Sequence, residues 1–178
     1  MNAADILAWH DWFITIAQAG ATLAGLLFVG LTISLDHVIG ARGYLSRAFT
    51  ALALQFEILL IGVFGLVPDQ PAYALGVEFA ITGTAILAGT TIFARNFPED
   101  SQSHVLGGTG PRTVRAVLTS VATLSPVVAG ASLINHWPGA LYWLIPAIVA
   151  GAYLSIGYAW IFAIEIPRRM AEKKKTEL

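Results

Sequence analysis

Five apolar stretches, each long enough to cross a bilayer as a helix, constrain this chain more than any other feature. A hydrocarbon core about 30 Å thick needs roughly 20 apolar residues in helical form. Stretches of that length run over about 12–35, 47–67, 72–94, 114–134 and 141–166. None alternates with period two, and all are too long for strands. Of the 178 residues, 56% are hydrophobic and only 12% are charged, with a mean hydropathy of +0.70. A water-soluble domain carries about twice that charge. The sequence therefore predicts an all-α membrane protein, one transmembrane domain over 1–178 built as a bundle of five transmembrane helices, with a basic tail at 167–178.

The breaks between the stretches carry turn chemistry. Pro68-Asp69-Gln70-Pro71 separates the second from the third, and His136-Trp137-Pro138-Gly139 separates the fourth from the fifth. Two turns that tight make each pair antiparallel neighbours. The chain has ten Lys and Arg residues. They fall in or beside the loop after the first span (Arg42, Arg47), the loop after the third (Arg95, Arg112, Arg115) and the C-terminal tail (Arg168, Arg169, Lys173, Lys174, Lys175). Basic residues mark the cytoplasmic side, so an outside N-terminus and a cytoplasmic C-terminus are expected. Trp9, Trp12, Tyr73, Trp137, Tyr142 and Trp143 would share the opposite, outer headgroup zone, where amphipathic rings settle. The N-terminal stretch lacks the basic region of a cleavable signal, so the first span is expected to be retained. Asn2 to Asp11 reads as a short interfacial helix with Asn2 as its cap. Pro126 and Pro146 are expected to bend spans four and five, because each removes a backbone donor.

Several classes of function are excluded or disfavoured by the same inventory. The absence of cysteine removes disulfides, thiolate metal sites and cysteine nucleophiles. A net charge of −1 is unlike that of a nucleic-acid binder. No two histidines have the i,i+4 spacing of a metal site, so neither metal nor cofactor is expected. Gly107-Gly108-Thr109-Gly110-Pro111-Arg112 lacks the Gly-Lys-Ser/Thr ending of a P-loop and reads as a flexible loop. With no serine elbow or zinc-protease motif, an enzyme is not expected.

Polar groups inside the spans are the remaining carriers of chemistry, because they are costly there. Glu57 lies about eleven residues inside the outer end of span two, near the bilayer midplane at roughly 1.5 Å per residue. Glu78, on span three, and Gln18, on span one, lie about 9 Å deep by the same rise. No cation shares their depth. Two readings follow: neutral acids that bond neighbouring helices as interhelical glue, or a proton or cation pathway. Thr15, Gln18, Thr22, Gly25, Val29 and Thr32 share one face of span one. Such a face either packs against another helix or lines a narrow wet path. Glu78, Thr82, Ala85 and Gly89 form a related face on span three. If the two faces meet, Gln18 and Glu78 are placed to bond. Span five carries a small-residue stripe at four-residue spacing, Ala147, Gly151, Ser155, Ala159 and Ala163, which marks a close helix contact within the bundle or between subunits.

Trp9-His10-Asp11-Trp12-Phe13, followed by Leu23-Ala24-Gly25-Leu26-Leu27-Phe28-Val29-Gly30-Leu31 and then Leu75-Gly76-Val77-Glu78, resembles a group of small bacterial multi-pass membrane proteins. Members of that group are labelled modulators of the membrane-anchored FtsH protease. The resemblance implies a regulatory membrane partner and a bacterial inner-membrane location. The better-known modulators have seven spans, and this chain has five. The small-residue first span also resembles the pore helix of Orai channels, whose first span carries an acidic ring absent here. The leading expectation is a non-enzymatic inner-membrane protein acting through helix–helix association, in contact with the lipid bilayer and with its own copies or another membrane protein. The alternative is a small oligomeric ion channel or proton-coupled carrier using the intramembrane acids.

Overall fold

The computed structural model describes residues 8–35, 42–97 and 112–168, and these are helical apart from short connections and contain no strand. Helix α1 covers His10–Ile33, α2 Arg42–Gly65, α3 Ala72–Asn96 and α4 Arg112–Ile134. The last span opens with a 3₁₀ turn, Ala140–Trp143, continues as α5, Leu144–Trp160, and widens into a π turn, Ile161–Glu165. All five spans are long and apolar enough to cross a membrane. Their limits lie close to the apolar stretches. The main departure is α2, which starts at Arg42 and so carries Arg47 inside the helix rather than at its edge. His10 and Asp11 belong to α1. Ala8 and Trp9 form a turn before it, while residues 2–7 of the expected interfacial helix and the tail beyond Arg168 lie outside the described residues.

The turns form as their residues dictate. Asp69 and His136 take left-handed backbone conformations, as does Gly139 at φ 73°. At the end of α4 the Trp137 amide donates to the Ser132 carbonyl (2.9 Å) and the His136 amide to that of Leu133 (3.1 Å). That pair of bonds is a Schellman closure with His136 in the position glycine usually fills. Pro126 lies inside α4, which stays helical through it. Pro146 lies near the start of the fifth span. It occupies the first turn of α5, where the missing N–H has no intrahelical partner to lose.

Small residues set the closest helix contacts. A Cβ at Gly62 would sit 2.7 Å from the Ala17 nitrogen, bringing α2 against α1. Between α3 and α4 a Cβ at Gly76 would stand 2.8 Å from the Gly130 carbonyl oxygen, and one at Gly83 would stand 2.6 Å from that of Thr123. Packing of this kind is the main force between helices in lipid, where tails are as apolar as leucine. α2 is the central helix, touching α1, α3 and α5. The buried apolar residues form two clusters, one around Phe13, Ile61, Phe79 and Leu133, the other around Leu27, Leu54, Leu154 and Phe162. Between them along the helices lies a buried polar layer: Gln55, Glu57, Thr82, Thr123 and Ser125.

The two ends of the bundle differ in chemistry. Trp9 packs edge-on against Trp12 and Tyr142, with ring centroids 5.1 and 5.0 Å apart. Tyr73, Trp137 and Trp143 are exposed near that same end. Arg47, Arg95, Arg112 and Arg115 gather at the other end.

Candidate functional site

The polar residues singled out from sequence do not assemble into one path. Thr15, Gln18, Thr22, Gly25, Val29 and Thr32 do share a face of α1, but all six are exposed on the outside of the bundle. A Cβ added at Gly25 would meet nothing within 4 Å. α1 buries the opposite side instead, with Phe13, Ile16, Gly20 and Leu27 turned toward its neighbours. Glycine and alanine on that side let α1 approach α2 closely, whereas the polar side offers hydroxyls already bonded within the helix. Thr15 donates to the Asp11 carbonyl, Thr22 to that of Gln18 and Thr32 to that of Phe28, at 2.8, 2.8 and 2.9 Å. This face therefore does not meet α3. α1 and α3 approach at Phe13 and Phe79, whose ring centroids are 6.5 Å apart, and Gln18 does not reach Glu78.

Glu57 lies in the buried polar layer, 2% exposed, with its Oε1 buried and without a hydrogen-bond partner among the described residues. Glu78 is half-buried on α3, and its Oε2 is likewise buried and unbonded among those residues. Thr82, on the same helix, is buried. Gln55 belongs with this layer and was not distinguished in the sequence. Its Nε2 donates to the Gly20 carbonyl at 3.0 Å, pinning α2 to α1 through a main-chain oxygen.

The stripe on the fifth span faces inward over most of its length. Ala147, Gly151 and Ser155 are buried, Ala159 is half-buried and Ala163 is exposed. A Cβ at Gly151 would lie 3.3 Å from Ile58 Cδ1, and Ser155 Oγ donates to the Ala51 carbonyl at 3.3 Å. One end of the stripe meets α1, where a Cβ at Gly30 would be 3.6 Å from the Ala159 carbonyl oxygen and from Ala163 Cβ. Beside it the Ser34 hydroxyl donates to the Phe162 carbonyl in the π turn. This stripe is a contact within the bundle.

The most distinctive site was read in the sequence only as an orientation signal. At the arginine-bearing end, α2, α3, α4 and α5 line a half-open cavity of about 510 Å³. Arg47, Arg95, Arg112 and Arg115 line it, and no carboxylate among the described residues does. Hydroxyls fill the spaces between them, among them Thr50, Thr91, Thr119, Ser120 and Tyr158. Arg47 and Arg115 are 1% and 6% exposed, and both are anchored by interactions of their own. Arg95 and Arg112 are exposed. Helical spacing explains the convergence: Arg112, Arg115 and Thr119 share a face of α4, Thr91 and Arg95 a face of α3, and Arg47 and Thr50 a face of α2. The rings of Phe49 and Phe93 stack 4.2 Å apart and join α2 to α3 at the same end, and Phe97, the cap of α3, stacks on Phe93 at 4.7 Å. A sequence signal for this site did exist. Arg47 and Arg115 lie inside helices rather than in loops, each followed at three or four residues by a hydroxyl.

Among the described residues no group of three His, Asp or Glu is placed to hold a metal ion. The fold and its sites define an all-helical protein with five helices long and apolar enough to cross a membrane, a polar middle layer and a basic cavity at one end. Set against family models, curated proteins and solved structures, the chain matches none.

Proposed function

We propose that this chain is a non-enzymatic, multi-pass protein of the bacterial inner membrane that acts through helix–helix association, with α1 pairing against α1 of a second copy. One observation carries the reading: Gln18 is exposed on the outer face of α1, about 9 Å inside Trp12 at roughly 1.5 Å per residue. A primary amide facing hydrocarbon without partners is costly. The flanking threonines donate to carbonyls of their own helix and offer it no donor. A second α1 brings a second Gln18, and each amide supplies both donors and an acceptor. Open space at Gly25 lets the two backbones draw together. The resemblance to protease modulators supports a further membrane protein as the target of the assembly. Reconstituted at low density in bilayers, the wild-type chain is expected to be dimeric or larger. A strictly monomeric chain would refute the reading.

The orientation we propose places the N-terminus outside and the C-terminus in the cytoplasm. Its support is the chemical polarity of the bundle, with arginines at one end and exposed aromatic rings at the other, together with the rule that basic residues stay inside. A reporter fused after Leu178 is expected to read cytoplasmic, and one fused before Asn2 external. The reverse reading at either terminus would defeat this orientation.

A further inference from the structure

We propose that the arginine-lined cavity is a binding site for a phosphate-bearing anion at the inner headgroup level of the membrane. It is built from α2 to α5 and takes no residue from α1, so it stands apart from the association face.

Charge is the first argument. Four guanidinium groups from three helices line the cavity, with no carboxylate among the described lining residues. Among the described residues, Glu165 is the one acid at this end of the bundle. The exposed Arg95 and Arg112 converge on the cavity above the two buried arginines, and this concentration of guanidinium groups attracts an anion.

Geometry narrows the anion. A guanidinium offers five N–H donors in a rigid fork that matches the oxygens of a phosphate two at a time. Arg47 and Arg115, buried and anchored, form a preorganised floor, while Arg95 and Arg112 stand exposed at the mouth and are able to close on a ligand. The hydroxyls divide into two sets. Thr50 donates to the Ser46 carbonyl and Thr90 to that of Ile86, at 2.9 and 2.8 Å. Thr91, Thr119 and Ser120 add hydroxyls that can serve the remaining oxygens of a phosphate ester. A volume of about 510 Å³ falls in the range of small-molecule sites, and a lone phosphate ion would fill little of it. The phosphate is therefore expected to be carried on a larger body.

Position narrows it again. Arg47 lies five residues along α2 from Arg42 and Arg115 three along α4 from Arg112, so the floor is only about 5–8 Å into each helix at 1.5 Å per residue. With the orientation proposed above, a floor so near the helix ends falls at the inner headgroup zone, where basic pockets between spans take up anionic headgroups. A soluble phosphate ester arriving from the same side has the same chemistry.

The test uses the full chain, delipidated in a neutral detergent. Binding is followed by native mass spectrometry and by the ligand-induced shift in Tm, with phosphatidylglycerol, phosphatidylcholine and glycerol 3-phosphate as probes. Phosphatidylglycerol or glycerol 3-phosphate is expected to bind at one site. Arg95→Gln combined with Arg112→Gln should weaken that binding at least tenfold. Both arginines are exposed, so the ligand-free Tm of the variant should stay at the wild-type value. Each single substitution should weaken binding in the same direction, and either one carries the test if the double variant does not fold. Arg168→Gln, outside the cavity lining, should leave binding unchanged. Preference for the lipid identifies a headgroup site, and comparable binding of the soluble ester identifies a site for a free phosphate compound. The proposal is overturned if neither anion binds, if phosphatidylcholine binds equally well, or if the cavity variants bind like wild type.

Discussion

Gly130→Leu is expected to leave little or no folded protein in the membrane. Position 130 sits where α4 crosses α3, and a Cβ there would collide with the carbonyl oxygen of Gly76 and lie 2.8 Å from the backbone nitrogen of Ala80. Both obstacles are main chain, so no side-chain rotation relieves them. Forcing extra atoms into a packed interior costs about 1–3 kcal/mol and more where backbone must move. A typical domain has only about 5–15 kcal/mol in total. Separating α3 from α4 also loosens the buried polar layer, since Thr82 and Thr123 lie on the facing helices. Gly130→Ala should show the same defect to a smaller degree. Folded yield and resistance to unfolding in mixed micelles measure both. Normal yield and stability for Gly130→Leu would mean that α3 and α4 do not meet at their glycines.

The same substitution at Gly25 should have the opposite profile. A side chain there meets nothing within 4 Å, and leucine is a better helix former than glycine by up to about 1 kcal/mol. The fold of one copy is therefore expected to be unharmed or slightly firmer. What should be lost is association, because leucine holds apart two backbones that a glycine allows to approach. Gln18→Leu should act in the same direction by removing an interhelical amide bond worth about 1–2 kcal/mol, close to a tenfold loss in dimerisation constant. Sedimentation or single-molecule photobleaching in bilayers reads both variants. Dimers that persist in Gly25→Leu at wild-type strength would move the contact to another face.

The spans were legible in sequence because their length and apolarity answer to one simple quantity, the thickness of the hydrocarbon. Facing was not legible. Lipid tails and a protein interior are equally apolar, so hydropathy cannot tell that Phe13 points inward while Phe28, 66% exposed, points out. The polar face of α1 was visible as a pattern, but nothing in its spacing decided between packing inside the bundle and standing outside it. The pairing of Gly76 with Gly130 joins residues far apart in the chain, and only the antiparallel register of α3 and α4 brings them together. The arginines show the same limit from another side. Their distribution between loops carried the expected orientation, yet Arg47 and Arg115 turn into the bundle, a facing that only the packing of α2 and α4 sets. Glu57 stood out by its charge, whereas its buried neighbour Gln55 escaped notice because a glutamine carries no formal charge to mark it.

The central claim, that α1 presents an association face to a second copy, is open to an unusually direct measurement because the chain has no cysteine of its own. Gly25→Cys introduces a single thiol on the exposed face of α1, and Ile81→Cys introduces one on the exposed side of α3, where Ile81 is 63% exposed. Each variant is oxidised in native membranes and run without reductant. The account predicts a disulfide-linked dimer for Gly25→Cys, little or none for Ile81→Cys, and suppression of the first when Gln18→Leu is added. Equal cross-linking at both positions, or none at Gly25→Cys, would contradict it.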